Sequence, residues 1–331
     1  MKIFQKLSPG IGIDLGTANT LVYIKNKGIV YNEPSILARN THTQKIFAIG
    51  HKAKSMQGRT HAGIETVRPI RDGVVADFQA ATEMIHYYVK ELTQNSIIRR
   101  KPFLVVTTPT HLTSVERRAF INAAIQAGAK EAIIIEKTFA AAIGAGLPVW
   151  ESTGSMIVDI GGGTTEVAIL SLGGVVVSNS IKIAGDEMDR LIIKHAKNAH
   201  HVLIGEATAE QIKINIFKEE ANGILDVRGR DMVTGLPRTV NLTATEIAVI
   251  LEEAIEQICL VIKKTLEQTP PELASDIIER GLILSGGMAL LPPLEKIVSE
   301  YTQLPVILTE TPLESVAKGT AKIVDKPYII M

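Results

Sequence analysis

Two short stretches of the chain end an apolar run on an aspartate and follow it with small residues: Ile13-Asp14-Leu15-Gly16-Thr17-Ala18-Asn19 and Val158-Asp159-Ile160-Gly161-Gly162-Gly163-Thr164. Small residues at such a turn let backbone amides approach an anion closely, so each turn can cradle phosphate oxygens. The aspartates suit a hydrated magnesium ion bridging those phosphates, because this hard cation keeps several waters and takes one or two carboxylates. Asp14 and Asp159 are the candidate metal ligands, acting through water. Gly16, Thr17, Ala18 and Asn19 in the first turn, and Gly161, Gly162, Gly163 and Thr164 in the second, are the candidate phosphate binders. Either turn alone reads equally well as an ordinary strand end. The matched pair, roughly 145 residues apart, points to an internal duplication facing across a cleft. A third turn, Gly286-Gly287-Met288-Ala289, offers bare backbone to a purine, and Glu210 and Lys213 in Ala209-Glu210-Gln211-Ile212-Lys213 offer polar partners to base and ribose. For these the bland alternatives, a helix-start turn and a solvated helix face, stay open.

The elements that must position these residues follow from periodicity. Gly10 to Asp14 and Leu21 to Ile24 are β-rich runs around the first turn and predict a hairpin. Met84, Ile85, Tyr88, Val89 and Leu92 fall at helical spacing, predicting a helix over 82–92, before Phe103-Leu104-Val105-Val106 returns to strand. A second helix opens near Ser114, capped by Thr113 or Ser114, and runs to Gly128. Ile133-Ile134-Ile135 reads as a buried strand and Phe139-Ala140-Ala141-Ala142-Ile143 as a tightly packing helix. The second half repeats the opening, with Met156 to Ile160 and Val167 to Leu170 forming another hairpin. A helix over 243–266, a break at Pro270-Pro271 and a strand at Leu282-Ile283-Leu284 complete an α/β pattern.

At 331 residues, 46% of them hydrophobic, the chain exceeds what one core usually supports, so two lobes are expected. Lys plus Arg equals Asp plus Glu at 35 each, so no overall field recruits nucleic acid, and none is expected as a partner. Cys259 lies in the apolar run 255–262 and reads as a buried thiol, which fits a reducing compartment. No stretch reaches the ~18 apolar residues of a membrane span, and the start lacks a signal-peptide core, so a cytoplasmic protein is expected. His195, His200 and His201 lie near Lys194 and Lys197 without further ligands at zinc-site spacing, and read as solvated helix side chains.

The two hairpins and the glycine turn resemble the phosphate and adenosine motifs of the superfamily of actins, sugar kinases and chaperone ATPases. More narrowly, the chain resembles the MreB family of bacterial actins over nearly its whole length. The resemblance rests on the stretches 13–20, 32–35, 68–74, 115–118, 159–167, 184–189, 228–231 and 269–273. It implies an actin-like (ribonuclease H-like) duplicated α/β fold of two lobes, each of two subdomains, around a nucleotide cleft. The implied division is 1–36, 72–150 and 312–331 for subdomain IA, 37–71 for IB, 151–187 and 240–311 for IIA, and 188–239 for IIB. It further implies ATP or ADP with Mg2+ in the cleft, and head-to-tail filaments of this chain with itself, as paired protofilaments, that govern cell shape or motility. Related MreB paralogues are implied copolymer partners, and the inner face of the cell membrane the implied location. Family members reach the membrane through an amphipathic N-terminus or a small apolar loop. Here Ile3, Phe4 and Leu7 beside Lys2 and Lys6, and Ile97 and Ile98 before Arg99-Arg100-Lys101, are the corresponding candidates. A frayed terminus and packing at a helix end are their open alternatives.

One departure from the family bears on catalysis. MreB proteins usually carry two glutamates and a proline ahead of the Ala-Ala-Ala-Ile helix, and the second glutamate orients or deprotonates the attacking water. Here the stretch reads Glu136-Lys137-Thr138-Phe139. A lysine whose pKa is near ~10.4 is a protonated donor at neutral pH and cannot serve as a base, so hydrolysis should be slow while ATP binding survives. Opposite a γ-phosphate, Lys137 would form a salt bridge. Two alternatives stand beside this: Glu136, or a water held by Thr164, restores turnover, or Lys137 points to solvent. Met288 replaces the family's usual third glycine, and its flexibility should leave nucleotide binding intact. A sugar or acetate kinase would share the hairpins but needs a substrate-binding insertion and an acceptor-activating aspartate, and neither is found. A chaperone ATPase would normally continue into a peptide-binding domain.

Overall fold

The computed structural model describes residues 10–94, 101–108, 113–218 and 223–326. Ile3, Phe4, Leu7, Ile97 and Ile98 lie outside these residues. Two five-stranded sheets carry the architecture. In the first, Gly10–Leu15 pairs antiparallel with Asn19–Ile24, which pairs antiparallel with Gly28–Pro34. On its other side Gly10–Leu15 runs parallel to Phe103–Thr108, and that strand parallel to Glu131–Glu136. The second sheet repeats the order and every strand sense. Ser155–Ile160 is antiparallel to Thr165–Ser171, then Gly174–Ile181 follows, while Leu282–Ser285 and Val306–Leu308 add parallel strands on the far side. The duplication expected from the two turns is therefore a duplication of whole sheets. It puts Asp14 and Asp159 at equivalent places, near the C-terminal ends of central strands buried along their length. Such burial suits parallel strands whose two faces are both covered.

The sheets are joined through a pair of helices, Lys137–Gly144 and Ser315–Asp325. Phe103 and Val105 of the first sheet and Ile157, Ala168 and Leu170 of the second share one core with Phe139, Ala140, Ala141 and Ile323 of these helices. The helices meet backbone to backbone. A Cβ on Gly144 would sit 1.7 Å from Ser315 O, and one on Gly319 1.8 Å from Ala140 O. Gly319→Ala should therefore cost at least the about 1–3 kcal/mol of an overpacked core, read as a lower urea midpoint. The same crossing holds the N-terminus of the Lys137–Gly144 helix, and Lys137 with it, at the cleft.

Two smaller sheets flank the cleft. Leu37–Asn40 pairs with Ile46–Ile49 and Ile64–Val67, beside the His51–Met56 helix. Ile224–Asp231 pairs with Val202–Leu203 and Pro237–Thr243, beside Glu206–Asn215. The 82–92 helix in fact runs Phe78–Gln94 and starts earlier because Asp77 Oδ1 accepts from Ala80 N at 2.9 Å, a cap that apolar periodicity does not reveal. The helix expected over 243–266 is Ala244–Glu267, and it opens on a capping box in which Thr243 and Glu246 exchange hydrogen bonds. Pro271 sits in the first turn of the Pro271–Arg280 helix, where its missing N–H costs nothing. Cys259 is buried, and burial pushes its thiol up to about 11. No helix of the described residues is long and apolar enough to cross a membrane.

Candidate functional site: an aspartate-tipped cleft

Each hairpin turn is closed by its own backbone: Gly16 N donates to Asn19 O at 3.1 Å and Gly161 N to Thr164 O at 2.9 Å. The turns then meet across the cleft. A Cβ on Gly162 would lie 2.8 Å from Ala18 Cβ, and one on Gly163 2.7 Å from Thr17 Cγ2, so a side chain at either place would push the turns apart. Behind them opens a cavity of about 810 Å³, within the range of small-molecule sites. Asp14, Gly16, Thr17, Ala18, Asn19, Lys137, Asp159, Gly161, Gly162, Glu210, Lys213, Gly286, Gly287 and Met288 all line it. Of the residues that sequence assigns to nucleotide binding or catalysis, Gly163, Thr164, Ala289 and Glu136 do not. Thr164 is buried against Gly73, and Glu136 ends its strand just before the Lys137–Gly144 helix.

At the far end Gly286 holds φ at +88°, and a Cβ there would sit 2.3 Å from Ile160 O, so only glycine lets this turn lie against the second hairpin. The two polar side chains assigned to base and ribose are already engaged by the protein. Lys213 Nζ donates to Gly185 O at 2.8 Å and pairs with Asp189 Oδ1 at 2.7 Å. Glu210 pairs with Lys54 at 2.6 Å, and Gln57 Nε2 donates to Glu206 Oε2 at 2.8 Å, so the helices beside the two small sheets touch over the cleft mouth. Arg68 donates to Thr17 O at 3.1 Å and pairs with Asp186 at 3.1 Å, and Arg190 reaches Asp72 at 2.9 Å. These cross-cleft partners escaped the sequence reading. Arg68, Asp72 and Asp186 lay inside family-like stretches, but nothing in their spacing names a partner.

Asp189 titrates in a useful range. Burial raises its carboxyl to about 6 against the opposing pull of Lys213. A carboxyl raised on folding binds its proton more tightly in the folded state, so its contribution to stability is lost as pH rises from about 4 to about 6. Melting temperature measured across that interval should fall more steeply for the parent than for Asp189→Asn.

Lys137 is the electrostatic centre of the site. Its Nζ lies 2.7 Å from Asp159 Oδ2, with 18% of the Lys137 side chain and 1% of the Asp159 side chain exposed. The lysine therefore neither points to solvent nor waits as a free cation. It is paired with one of the two candidate metal ligands. Burial alone would depress the ammonium, but the charges of Asp159, Asp14 and Glu166 outweigh it and hold Lys137 above an ordinary lysine. A cation in the first turn of a helix opposes the helix dipole, so this acidic surround is what keeps it there. Burial raises the Asp14 carboxyl, while Lys137 and a 2.6 Å hydrogen bond from Thr107 Oγ1 oppose the rise. Glu166, 2% exposed and in register with Asp159 on the neighbouring strand, was not foreseen as part of this cluster.

The glycine turns and the cavity fit a nucleotide's phosphates. The acidic pair fits a hydrated Mg2+ in part: Asp14 is turned to the cavity, whereas Asp159 shares its charge with Lys137.

The family model for MreB/Mbl proteins matches residues 8–330. The cell shape-determining protein MreB of Escherichia coli K12 is 48% identical over 322 residues, covering 95% of this chain and 93% of that protein. Mbl of Bacillus subtilis 168 is 44% identical over 318 residues, 95% of each. The crystal structure of Spiroplasma citri MreB5 bound to AMPPNP superposes with a TM-score of 0.91 at 37% identity over 97% of both chains. The same protein bound to ADP gives 0.92 at 38% identity. A MamK double helical filament, 19% identical with a TM-score of 0.80, shares the fold. The actin-like duplicated fold implied by the sequence is thus the fold of its relatives, and the chain belongs to the MreB/Mbl family.

Proposed function

We propose that this protein binds ATP or ADP with Mg2+ between its two hairpins, polymerises head to tail into paired filaments on the inner face of the cell membrane, and hydrolyses ATP slowly. The observation that carries the proposal is the contact of Gly162 and Gly163 with Ala18 and Thr17 at the edge of one large cavity. Support comes from the solved MreB5 relatives bound to AMPPNP and ADP. In this reading the amides of 17 and 18 and of 162 and 163, which the closed turns leave free of backbone partners among the described residues, receive the phosphates, and Asp14, with Asp159, would hold the hydration shell of the metal. Bound Mg2+ neutralises phosphate charge. Lys137 contributes charge in place of the family's carboxylate. Its ammonium has no lone pair to take a proton from water, and neither Glu136 nor Thr164 lines the cavity to take over.

Nucleotide then acts as a clamp: seated between the turns it fixes the lobe angle, and that angle biases the equilibrium between monomer and filament. The subdomain division, the copolymerisation with paralogues, the cytoplasmic setting and the membrane contacts of Ile3, Phe4, Leu7, Ile97 and Ile98 belong to the same proposal. The family match leaves the phosphotransferase reading without a supporting observation. Titration calorimetry of the folded protein with ADP or ATP should show one site that Gly162→Val abolishes. Absence of heat from either nucleotide, with folding verified, would overturn it.

A further inference from the structure

Away from the cleft, the last turns of the Gly185–His200 helix meet the start of the Ala244–Glu267 helix, and three side chains converge. His195 Nε2 lies 3.9 Å and His200 Nε2 3.3 Å from Glu246 Oε1. The imidazoles pack edge to face with ring centroids 5.4 Å apart, and the three ligand atoms all fall within 4.8 Å of one another. This overturns the reading of His195 and His200 as solvated helix side chains. Their side chains are 18% and 21% exposed, and both Nε2 atoms are shielded from solvent without a hydrogen bond. His201 alone is exposed.

The carboxylate is held from behind. Glu246 Oε2 accepts from Thr243 N at 2.9 Å and from Thr243 Oγ1 at 2.8 Å, so the capping box fixes the group and leaves Oε1 facing the imidazoles. An anchored carboxylate and two shielded nitrogens that make no hydrogen bond form a donor set that lacks its acceptor. A cation that accepts lone pairs supplies one.

We propose that His195, His200 and Glu246 bind Zn2+, with water as the fourth ligand. Ligands at about 2.0–2.2 Å from tetrahedral zinc stand about 3.4 Å apart. The His200 to Glu246 separation already matches, and the wider gaps close by small side-chain rotations. Two imidazoles favour a borderline-soft ion over Mg2+ or Ca2+, which prefer oxygen. None of the three residues lines the nucleotide cavity, so the site is separate from any metal bound with phosphates. Its effect is to staple one helix end to another helix start, above a core that both helices share through Ile192, Ala196, Ile247 and Leu251. Binding to the folded state alone stabilises that state by mass action.

The test uses the full chain stripped with a chelator, in the absence of nucleotide, and titrated with Zn2+ against a chromophoric competitor. One Zn2+ per chain is expected, with a rise in melting temperature and, on replacement by Co2+, the visible bands of a tetrahedral site. Glu246→Gln keeps an oxygen for the Thr243 cap, so it should fold as the parent does by circular dichroism. It should bind Zn2+ more weakly by more than the about 10-fold that loss of an outer partner costs. His195→Ala with His200→Ala should bind none at this stoichiometry. Uptake by the double variant equal to the parent, or no uptake by the parent, would overturn the site and leave a simple imidazole–carboxylate pair.

Discussion

Lys137→Glu is expected to raise steady-state phosphate release by about 10²- to 10⁴-fold, the contribution of a positioned base. The helix that presents residue 137 is fixed by its glycine crossing with Ser315–Asp325, so a glutamate would start from the same backbone position. The exchange has a second consequence. Removing the ammonium and adding a carboxylate leaves four acidic groups together: Asp14, Asp159, Glu166 and the new side chain. Without metal the variant should melt below the parent, and Mg2+ with ATP should stabilise it far more than it stabilises the parent. A variant that releases phosphate no faster than the parent would end the missing-base account.

Lys137→Met should cost about 3–5 kcal/mol in denaturant unfolding with a chelator present, because it strands the Asp159 carboxylate, 1% exposed, without its counter-charge. The deficit should shrink toward acid pH. Burial already raises Asp14, and Lys137 opposes that rise. Without the lysine, Asp14 takes its proton at higher pH, and protonation relieves the buried charge. A Met variant as stable as the parent at neutral pH would show that the pair contributes nothing.

What could be read from residues alone was whatever is local. Each aspartate-tipped hairpin is a strand, a small-residue turn and a strand within one window, so type and place were legible, and the pairing registers agree. Glu166 was readable in principle, because a hairpin closed between Gly161 and Thr164 must bring it opposite Asp159. The partner of Lys137 was not. Sequence shows that a cation replaces a carboxylate, but the choice between phosphate, solvent and Asp159 depends on how two distant strands lie, and the structure gives Asp159. The latches Lys54–Glu210 and Arg190–Asp72 escaped for the same reason: each joins segments brought together only by the tertiary fold. His195 and His200 were misread because their third partner, Glu246, opens a different helix.

On the proposed function, the cleft is expected to retain ATP and to cleave it only slowly. The direct measurement is to incubate the purified protein with ATP and Mg2+, separate it from free nucleotide, and identify by chromatography what stays bound. Intact ATP, one per chain and persisting long after a glutamate-bearing relative has made ADP, is the predicted result. A chain that holds no nucleotide, or one that holds only ADP, would contradict it.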